Sequence, residues 1–291
     1  MGPVAQGIER PPPKRQVTGS NPVGVATLPS QPKGNVEMLD QGLRAVPQPQ
    51  SGGRIIALDI ARTVALVGMA IFHFGFDLES FGYLQPGRMV TGFWYYFPRG
   101  VASSFLFMVG LSLWLAHGRG IRWRPFLKRL AQICAGALVV TIGTYFAFGS
   151  SFVFFGILHT IALSSVIGLA FLRLPPLLTL VAALGAYLAP QYLATGQFDS
   201  IWLVWSGLTT FRVYSVDFIP TFPWLSPVLA GIAMSKLMDD AGTWQRFRSR
   251  GPVEKLMRLM ALPGQHSLLV YLIHQPVLIA LVWASTLVLR P

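Results

Sequence analysis

Charged residues are scarce in this sequence. Asp, Glu, Lys and Arg make up 12% of its 291 residues, whereas a soluble domain carries about 25% to cover its surface. The mean hydropathy of +0.53 and the long apolar runs between short charged clusters exclude an ordinary soluble globular protein. The composition predicts an all-α, polytopic integral membrane protein.

Cysteine is almost absent, since Cys134 is the single one. This excludes an internal disulfide, a zinc knuckle and a CxxC redox pair, and we expect Cys134 to pack within a helix and no metal site. The net charge of +12 does not form one basic face, so we expect no nucleic-acid partner. We instead expect membrane topology to account for the excess of basic residues.

The first 53 residues differ from the rest of the chain. They are rich in proline and glycine and lack a periodic apolar pattern, which predicts a disordered extension. Residues 5–24 resemble peptides that arise when a transfer-RNA gene is translated out of frame, so residues 1–37 are interpreted as a misplaced start, with Met38 as the alternative. The segment lacks the pattern of a secretory signal peptide. Residues 54–291 are predicted to form the transmembrane domain.

Seven stretches are long and apolar enough to suggest spans of a bilayer, which needs about 20 helical residues. An eighth stretch, 198–211, is too short and is interpreted as re-entrant or interfacial. The seven predicted spans are 55–77, 100–117, 127–148, 152–172, 175–190, 222–238 and 267–289.

Basic residues in the connecting loops predict the orientation, because they favour the cytoplasmic side. With the N-terminus inside and the C-terminus outside, the inner loops carry twelve basic residues and the outer loops three. We therefore expect a multi-pass protein of the inner (plasma) membrane. The outer three are Arg88, Arg99 and Arg212; the inner twelve are Arg119, Arg122, Arg124, Lys128, Arg129, Arg173, Lys236, Arg246, Arg248, Arg250, Lys255 and Arg258.

The first predicted span carries four ionisable residues on one face. At 100° per residue, Asp59, Arg62, His73 and Asp77 fall within an arc of about 60°. Residues 57, 61 and 65 are alanines on the opposite side, which predicts close packing on a neighbouring helix there. Ionisable groups inside a span are functional candidates. The structural alternative is an Asp59–Arg62 ion pair at the inner interface with His73 and Asp77 at the outer surface.

Polar residues also occur in two later spans. His159 is expected about 10 Å below the outer end of its helix, and His274 at a similar depth from the inner end of the last one. Pro276, after Gln275, is expected to break that helix and free a carbonyl. For each histidine the alternative is an interhelical hydrogen bond, and for Asp217 it is a cap on the sixth span.

Several motifs are similar to those of membrane acyltransferases. The spacing of Arg62 and His73 resembles the Arg-x10-His signature of the acyltransferase-3 family. A closer resemblance, over residues 54 to about 285, is to the bacterial family related to the catalytic domain of heparan-α-glucosaminide N-acetyltransferase. Two positions depart from these families: Thr63 replaces a usual Gly, and His73 replaces the Asn of the eukaryotic enzyme. The matching motifs are LDIAR (58–62), FHFGFDL (72–78), FMVGLSL (107–113), GILH (156–159), DFIPTFPW (217–224) and SLLVYLIHQP (267–276).

The resemblance implies transfer of an acyl group, in the simplest case acetyl, from cytosolic acyl-CoA to an acceptor at or beyond the membrane. His73 would be the base and Asp77 would orient it. Asp59, His159 and His274 are further catalytic candidates. The cations expected at the CoA phosphates are Arg62, Arg119, Arg122 and Arg124.

Two other function classes remain open at this level. The polar arc of the first span also suits a transporter or lipid flippase, although the first and last spans share no pattern that would indicate an inverted repeat. A non-enzymatic partner subunit is the third option. The acceptor is a glycan or a lipid head group, and a dimer is one option for the oligomeric state.

Overall fold

The computed structural model describes residues 55–248 and 254–289. Within these ranges the chain is helical and has no β-strand. Nine α-helices follow one another in this part: α1 Ile56–Ser80, α2 Phe93–His117, α3 Trp123–Phe148, α4 Ile157–Phe171, α5 Pro176–Leu193, α6 Thr221–Asp240, α7 Thr243–Phe247, α8 Lys255–Gln265 and α9 Ser267–Leu289. The predicted N-terminal extension and misplaced start lie outside the described residues.

Seven of these helices, α1 to α6 and α9, correspond one to one with the predicted spans. Five are long and apolar enough to cross a membrane, namely α1, α2, α5, α9 and the stretch Trp123–Ser151 that includes α3. Helix α4 is apolar but has only 15 residues, and α6 carries Lys236 and two terminal aspartates. The prediction of an all-α, multi-pass membrane protein is confirmed, whereas its orientation stays a prediction.

The fourth span begins later than predicted. Residues 152–156 are not helical and lie beside residues 215–219, because the Val216 and Ile219 amides donate to the carbonyls of Ser151 (2.9 Å) and Phe155 (3.0 Å). His159 therefore lies in the first turn of α4 and not about 10 Å deep, so that prediction is wrong.

The last helix and the segment before α6 also differ in detail from expectation. Pro276 lies inside the continuous helix α9, so the predicted break does not occur. Residues 198–211 contain no α-helix and form part of the connection between α5 and α6. Cys134 lies in α3 as predicted, but its side chain is exposed on a surface suited to lipid.

Helices α2 and α6 pack backbone to backbone in the core. A β-carbon on Gly110 would lie 2.0 Å from the Val228 carbonyl oxygen, and one on Gly231 would lie 2.1 Å from that of Phe107. Only glycine allows the two backbones to approach so closely. Leu106 and Ile232 are fully buried around this crossing, which holds α2 in a definite position.

Lys236 connects α6 to two other helices. Its buried ammonium donates to the carbonyls of Phe171 and Leu174, both at 2.6 Å, and more weakly to the Thr179 hydroxyl. A cation at the end of α4 also complements the helix dipole. The sequence indicated Lys236 only as a cytoplasmic charge, whereas in the structure it joins α4, α5 and α6.

Helix α1 packs with its polar face towards the protein. Asp59 and Asp77 are 2% and 4% exposed, whereas Ala57 and Ala61 on the opposite side are exposed. The prediction that the alanine stripe packs on a neighbour is therefore wrong at these two positions and holds at Ala65, which is buried. Buried polar groups need protein partners in a membrane, and α2, α8 and α9 supply them. The closest approach is that of Gly264 to the Asp59 carbonyl.

Candidate functional site

The N-terminal end of the polar face of α1, predicted to lie at the inner side of the membrane, forms a closed hydrogen-bond network. One guanidinium nitrogen of Arg62 lies 2.8 Å from Asp59 Oδ1, and the other donates to the Ser112 hydroxyl on α2. Ser112 in turn donates to the Met108 carbonyl. We call Asp59, Arg62 and Ser112 the inner cluster. The Asp59–Arg62 ion pair of the structural alternative is present, but Arg62 also reaches across to a second helix.

A small cavity of about 20 Å³ adjoins Ser112. It lies among α2, α3 and α4, and its polar lining consists of Ser112, His117, Arg129 and Ser165. Arg129 lies close enough to Arg62 for the two positive charges to act on each other. Two like charges near one cavity suit an anionic ligand, because an anion relieves their repulsion. The cavity itself has room for about one water molecule, so the two neighbouring charges are the feature of this region that could meet an anion.

The loop arginines predicted to bind phosphates do not join this cavity. Arg119 is 81% exposed and lies 3.8 Å from Asp239, while Arg122 bonds to His117 Nδ1 through its amide and to the Ala116 carbonyl through its side chain. Arg124 is exposed at the start of α3. Arg129 takes the cavity position instead. In the sequence, Arg129 differs from the other three arginines because it lies inside the predicted span 127–148, about two turns after Arg122.

The outer end of the same face brings α1 and α9 together. Asp77 Oδ1 accepts a hydrogen bond of 2.9 Å from Gln275 Nε2, and the rings of His73 and His274 are 5.2 Å apart. Asp77 therefore takes its hydrogen bond from Gln275 and not from His73, contrary to expectation, because the His73 ring turns towards His274. We call His73, Asp77, His274 and Gln275 the outer cluster.

His274 has a defined tautomer when neutral. Its Nδ1 lies 2.6 Å from the Tyr271 carbonyl oxygen, and because a carbonyl can only accept, Nδ1 carries the proton. The lone pair then resides on Nε2. A backbone hydrogen bond of this kind orients a histidine that acts as a base.

Three buried polar atoms of the outer cluster have no hydrogen-bond partner in the part of the chain that the structure describes. They are Asp77 Oδ2, His274 Nε2 and Gln275 Oε1. Buried polar atoms are nearly always paired, so three unpaired ones in one place indicate a position for water or a ligand. The carboxylate oxygen of Asp77, the amide oxygen of Gln275 and the Nε2 lone pair of His274 can each accept a hydrogen bond.

His159 lies apart from this cluster and has partners on both ring nitrogens. The Gly156 amide donates to Nδ1 at 3.3 Å, and Nε2 lies 3.4 Å from the Thr141 hydroxyl. The arrangement favours the alternative of an interhelical hydrogen bond between α3 and α4. The catalytic role of His159 stays a prediction. The hydrogen bonds of its ring nitrogens involve Gly156 and Thr141, which do not belong to the outer cluster.

Asp217 caps α4 and not α6. Its Oδ2 accepts from the Ile157 amide at 3.3 Å, so it satisfies one of the free amides at the start of α4. A β-carbon on Gly156 would lie 2.6 Å from the same oxygen. Burial raises the pKa of Asp217 to about 6, although the Ile157 amide acts in the opposite direction. The expected cap on the sixth span is thus corrected.

No group of three or more His, Cys, Asp or Glu side chains could hold a metal ion within residues 55–248 and 254–289. The inner and outer clusters are polar groups of the described residues that could meet a cosubstrate. They lie on one face of α1, about 16 Å apart along the helix.

Comparison with known proteins gives one match. Residues 54–276 match the family described as heparan-alpha-glucosaminide N-acetyltransferase, catalytic. No curated protein and no solved structure matches the chain. The matched segment spans more than three quarters of the sequence and contains all residues of both clusters.

Proposed function

We propose, on the premise that this chain belongs to the heparan-α-glucosaminide N-acetyltransferase catalytic family, that it transfers an acyl group, in the simplest case acetyl, from acyl-CoA. The donor is cytosolic, and the acceptor is a glycan or lipid head group at the outer side of the inner membrane. The observation that carries the proposal is the outer cluster, in which an oriented imidazole lone pair and two further acceptor oxygens are buried without partners among the described residues.

The chemistry of acyl transfer assigns a role to each group. The acceptor hydroxyl or amine attacks the thioester carbonyl and forms the new C–O or C–N bond, while the C–S bond breaks. Nε2 of His274 takes the proton that the acceptor loses and returns it to the departing CoA thiolate. Asp77 Oδ2 and Gln275 Oε1 accept hydrogen bonds from the acceptor and so hold it in line.

His73 shares this space with His274, and the two imidazoles make a pair of candidate bases. Their rings are 5.2 Å apart, so one stands beside the other at the same depth of the membrane. The backbone bond to Tyr271 defines the tautomer of His274 only, and this favours His274 as the proton acceptor. His73 is then the group that lies against the acyl carbon or its oxygen.

The inner cluster is proposed as the donor's phosphate site. Arg62 and Arg129 supply the charge, and Ser112, His117 and Ser165 beside them supply polar side chains. A pantetheine arm, extended along α1, would bridge the approximately 16 Å to the outer cluster. Arg119, Arg122 and Arg124 lie at the rim and would meet the CoA first from solution.

Acyl transfer and binding of the CoA donor can be tested separately. Purified protein in nanodiscs is given acetyl-CoA labelled in the acetyl group together with a cell-envelope fraction, and binding of a non-reactive CoA analogue is measured by calorimetry. We expect label in the envelope fraction with the wild type and none with His274→Asn. Both proteins should bind the analogue, and failure of the wild type to bind it would refute the proposal.

The transporter or flippase remains the second candidate, because both polar clusters lie on one face of a single spanning helix. It predicts movement of a substrate across liposomes without covalent change. Substrate flux without any acyl transfer would favour it, whereas label on the acceptor would favour the transferase.

A further inference from the structure

Helix α8 is amphipathic, and one of its faces is buried. Ala261 is fully buried and Gly264 is buried, and both lie on the side that meets α1. The Gly264 amide donates to the Thr63 hydroxyl at 2.9 Å, and a β-carbon on Gly264 would lie 1.9 Å from the Asp59 carbonyl oxygen. One face of α8 is therefore fixed against the helix that carries the inner cluster.

Most of the rest of α8 is exposed. Leu256, Leu259 and Met260 form an apolar face, 63%, 63% and 46% exposed. Lys255 and Arg258 lie about 60° apart at one edge of this face, with Leu262, 46% exposed, between them. Large apolar side chains along an 11-residue helix, bordered by two cations, are typical of a helix that lies in the plane of a membrane surface.

The position of α8 agrees with this arrangement. One residue, His266, separates α8 from α9, and the residues that Gly264 contacts, Asp59 and Thr63, belong to the first two turns of α1. Both α1 and α9 are long and apolar enough to cross the bilayer, and both begin at this level. Helix α8 thus lies where two spans enter the membrane.

We propose that α8 is an interfacial helix that binds anionic phospholipid of the bilayer the protein itself spans. Leu256, Leu259 and Met260 insert between the acyl chains near the surface, and Lys255 and Arg258 contact the negative head groups. Because Gly264 lies directly on the Asp59 carbonyl, lipid that holds α8 also holds the backbone beside Arg62.

The insertion is tested with single-cysteine variants of the full chain. Cys134→Ala removes the native thiol, and Leu259→Cys or Arg258→Cys introduces a label site for a fluorophore sensitive to its surroundings. Nanodiscs contain lipids that carry a quencher on the upper part of the acyl chain. We expect several-fold stronger quenching at position 259 than at position 258, because the two positions lie about 100° apart around the helix. Equal quenching at the two positions, or none at 259, would overturn the proposal.

The preference for anionic lipid is tested with the label at position 259. Quenching should rise when about a third of the zwitterionic lipid is replaced by phosphatidylglycerol, and the increase should vanish in Lys255→Gln/Arg258→Gln. The matched control, Lys128→Gln/Arg173→Gln, also removes two exposed cations and should keep the increase. An equal loss in the control would assign the effect to net charge and refute a site on α8. The readout does not depend on acyl transfer.

Discussion

The two clusters on α1 share one helix face but differ in how completely their polar atoms are paired. In the inner cluster Asp59, Arg62 and Ser112 form a closed network that ends on the Met108 carbonyl. In the outer cluster three buried atoms lack partners in the described part of the chain. A closed network stabilises the fold and holds charge in place, whereas an open one is completed by a reactant. We therefore expect mutations in the inner cluster to cost stability and those in the outer cluster to cost rate.

The largest effect is expected for His274→Asn. An asparagine amide can still donate to the Tyr271 carbonyl but cannot accept a proton, so kcat should fall about 10²- to 10⁴-fold with little change in the thermal midpoint. His73→Asn provides the comparison. If His73→Asn lost as much activity while His274→Asn kept the wild-type rate, His73 would be the base, as the sequence alone suggested.

A smaller effect, on stability, is expected for Asp59→Asn. The change leaves the guanidinium of Arg62 without its carboxylate partner in a mostly buried place, at a cost of about 1–3 kcal/mol in the free energy of unfolding. The matched control is Asp239→Asn, because its partner Arg119 is 81% exposed and such pairs contribute about 0–1 kcal/mol. Unfolding in mixed detergent measures both. Equal losses would mean that the inner cluster does not stabilise the fold.

Gly264→Ala should disturb the inner cluster from outside it. The added methyl would lie 1.9 Å from the Asp59 carbonyl, so α8 must shift, at a cost of about 1–3 kcal/mol. Gly185→Ala in α5 is the control, since a β-carbon added there would have no neighbour within 4 Å. Binding of the CoA analogue should weaken in Gly264→Ala only, and unchanged binding would separate α8 from the inner cluster.

The smallest effect concerns Asp217, which belongs to neither cluster. Its pKa of about 6 exceeds the value of about 3.9 of an unfolded chain, so the folded protein binds the proton more tightly. Its contribution to stability is then largest below pH 4 and is lost as the pH rises to 6. In Asp217→Asn the thermal midpoint should change less with pH over this range than it does in the wild type. An unchanged pH profile in the variant would assign the dependence to other groups.

Much of the fold followed from the sequence, because apolar runs of bilayer length have few alternatives. Helices α1, α2, α3, α5, α6 and α9 match their predicted spans to within a few residues, apart from the earlier start of α2 at Phe93. The start of α4 was mislocated because residues 152–156 are as apolar as a helix. In the structure these residues are not helical and bond to residues 215–219 instead. Helix α8 was counted within a loop, since 11 residues cannot span a bilayer.

The candidate site could also be predicted only in part from the sequence. The helical period alone places Asp59, Arg62, His73 and Asp77 on one face. The cost of exposing ionisable groups to lipid adds the prediction that this face meets protein. The period could not reveal that Gln275, 198 residues further on, takes the hydrogen bond of Asp77. Nor could it reveal that Arg129 and not Arg119, Arg122 or Arg124 lines the cavity beside Ser112.

The sequence by itself determined that the chain is a helical membrane protein, where most of its long helices lie, and which face of α1 is polar, because hydropathy and helical periodicity are local properties. Tertiary structure decided which polar atoms are paired. The His274 ring is oriented by the carbonyl of its own helix, but its nearness to His73 depends on how α9 packs on α1. Hydrogen bonding is short-ranged and directional, so the difference between a closed and an open cluster exists only once the helices have packed.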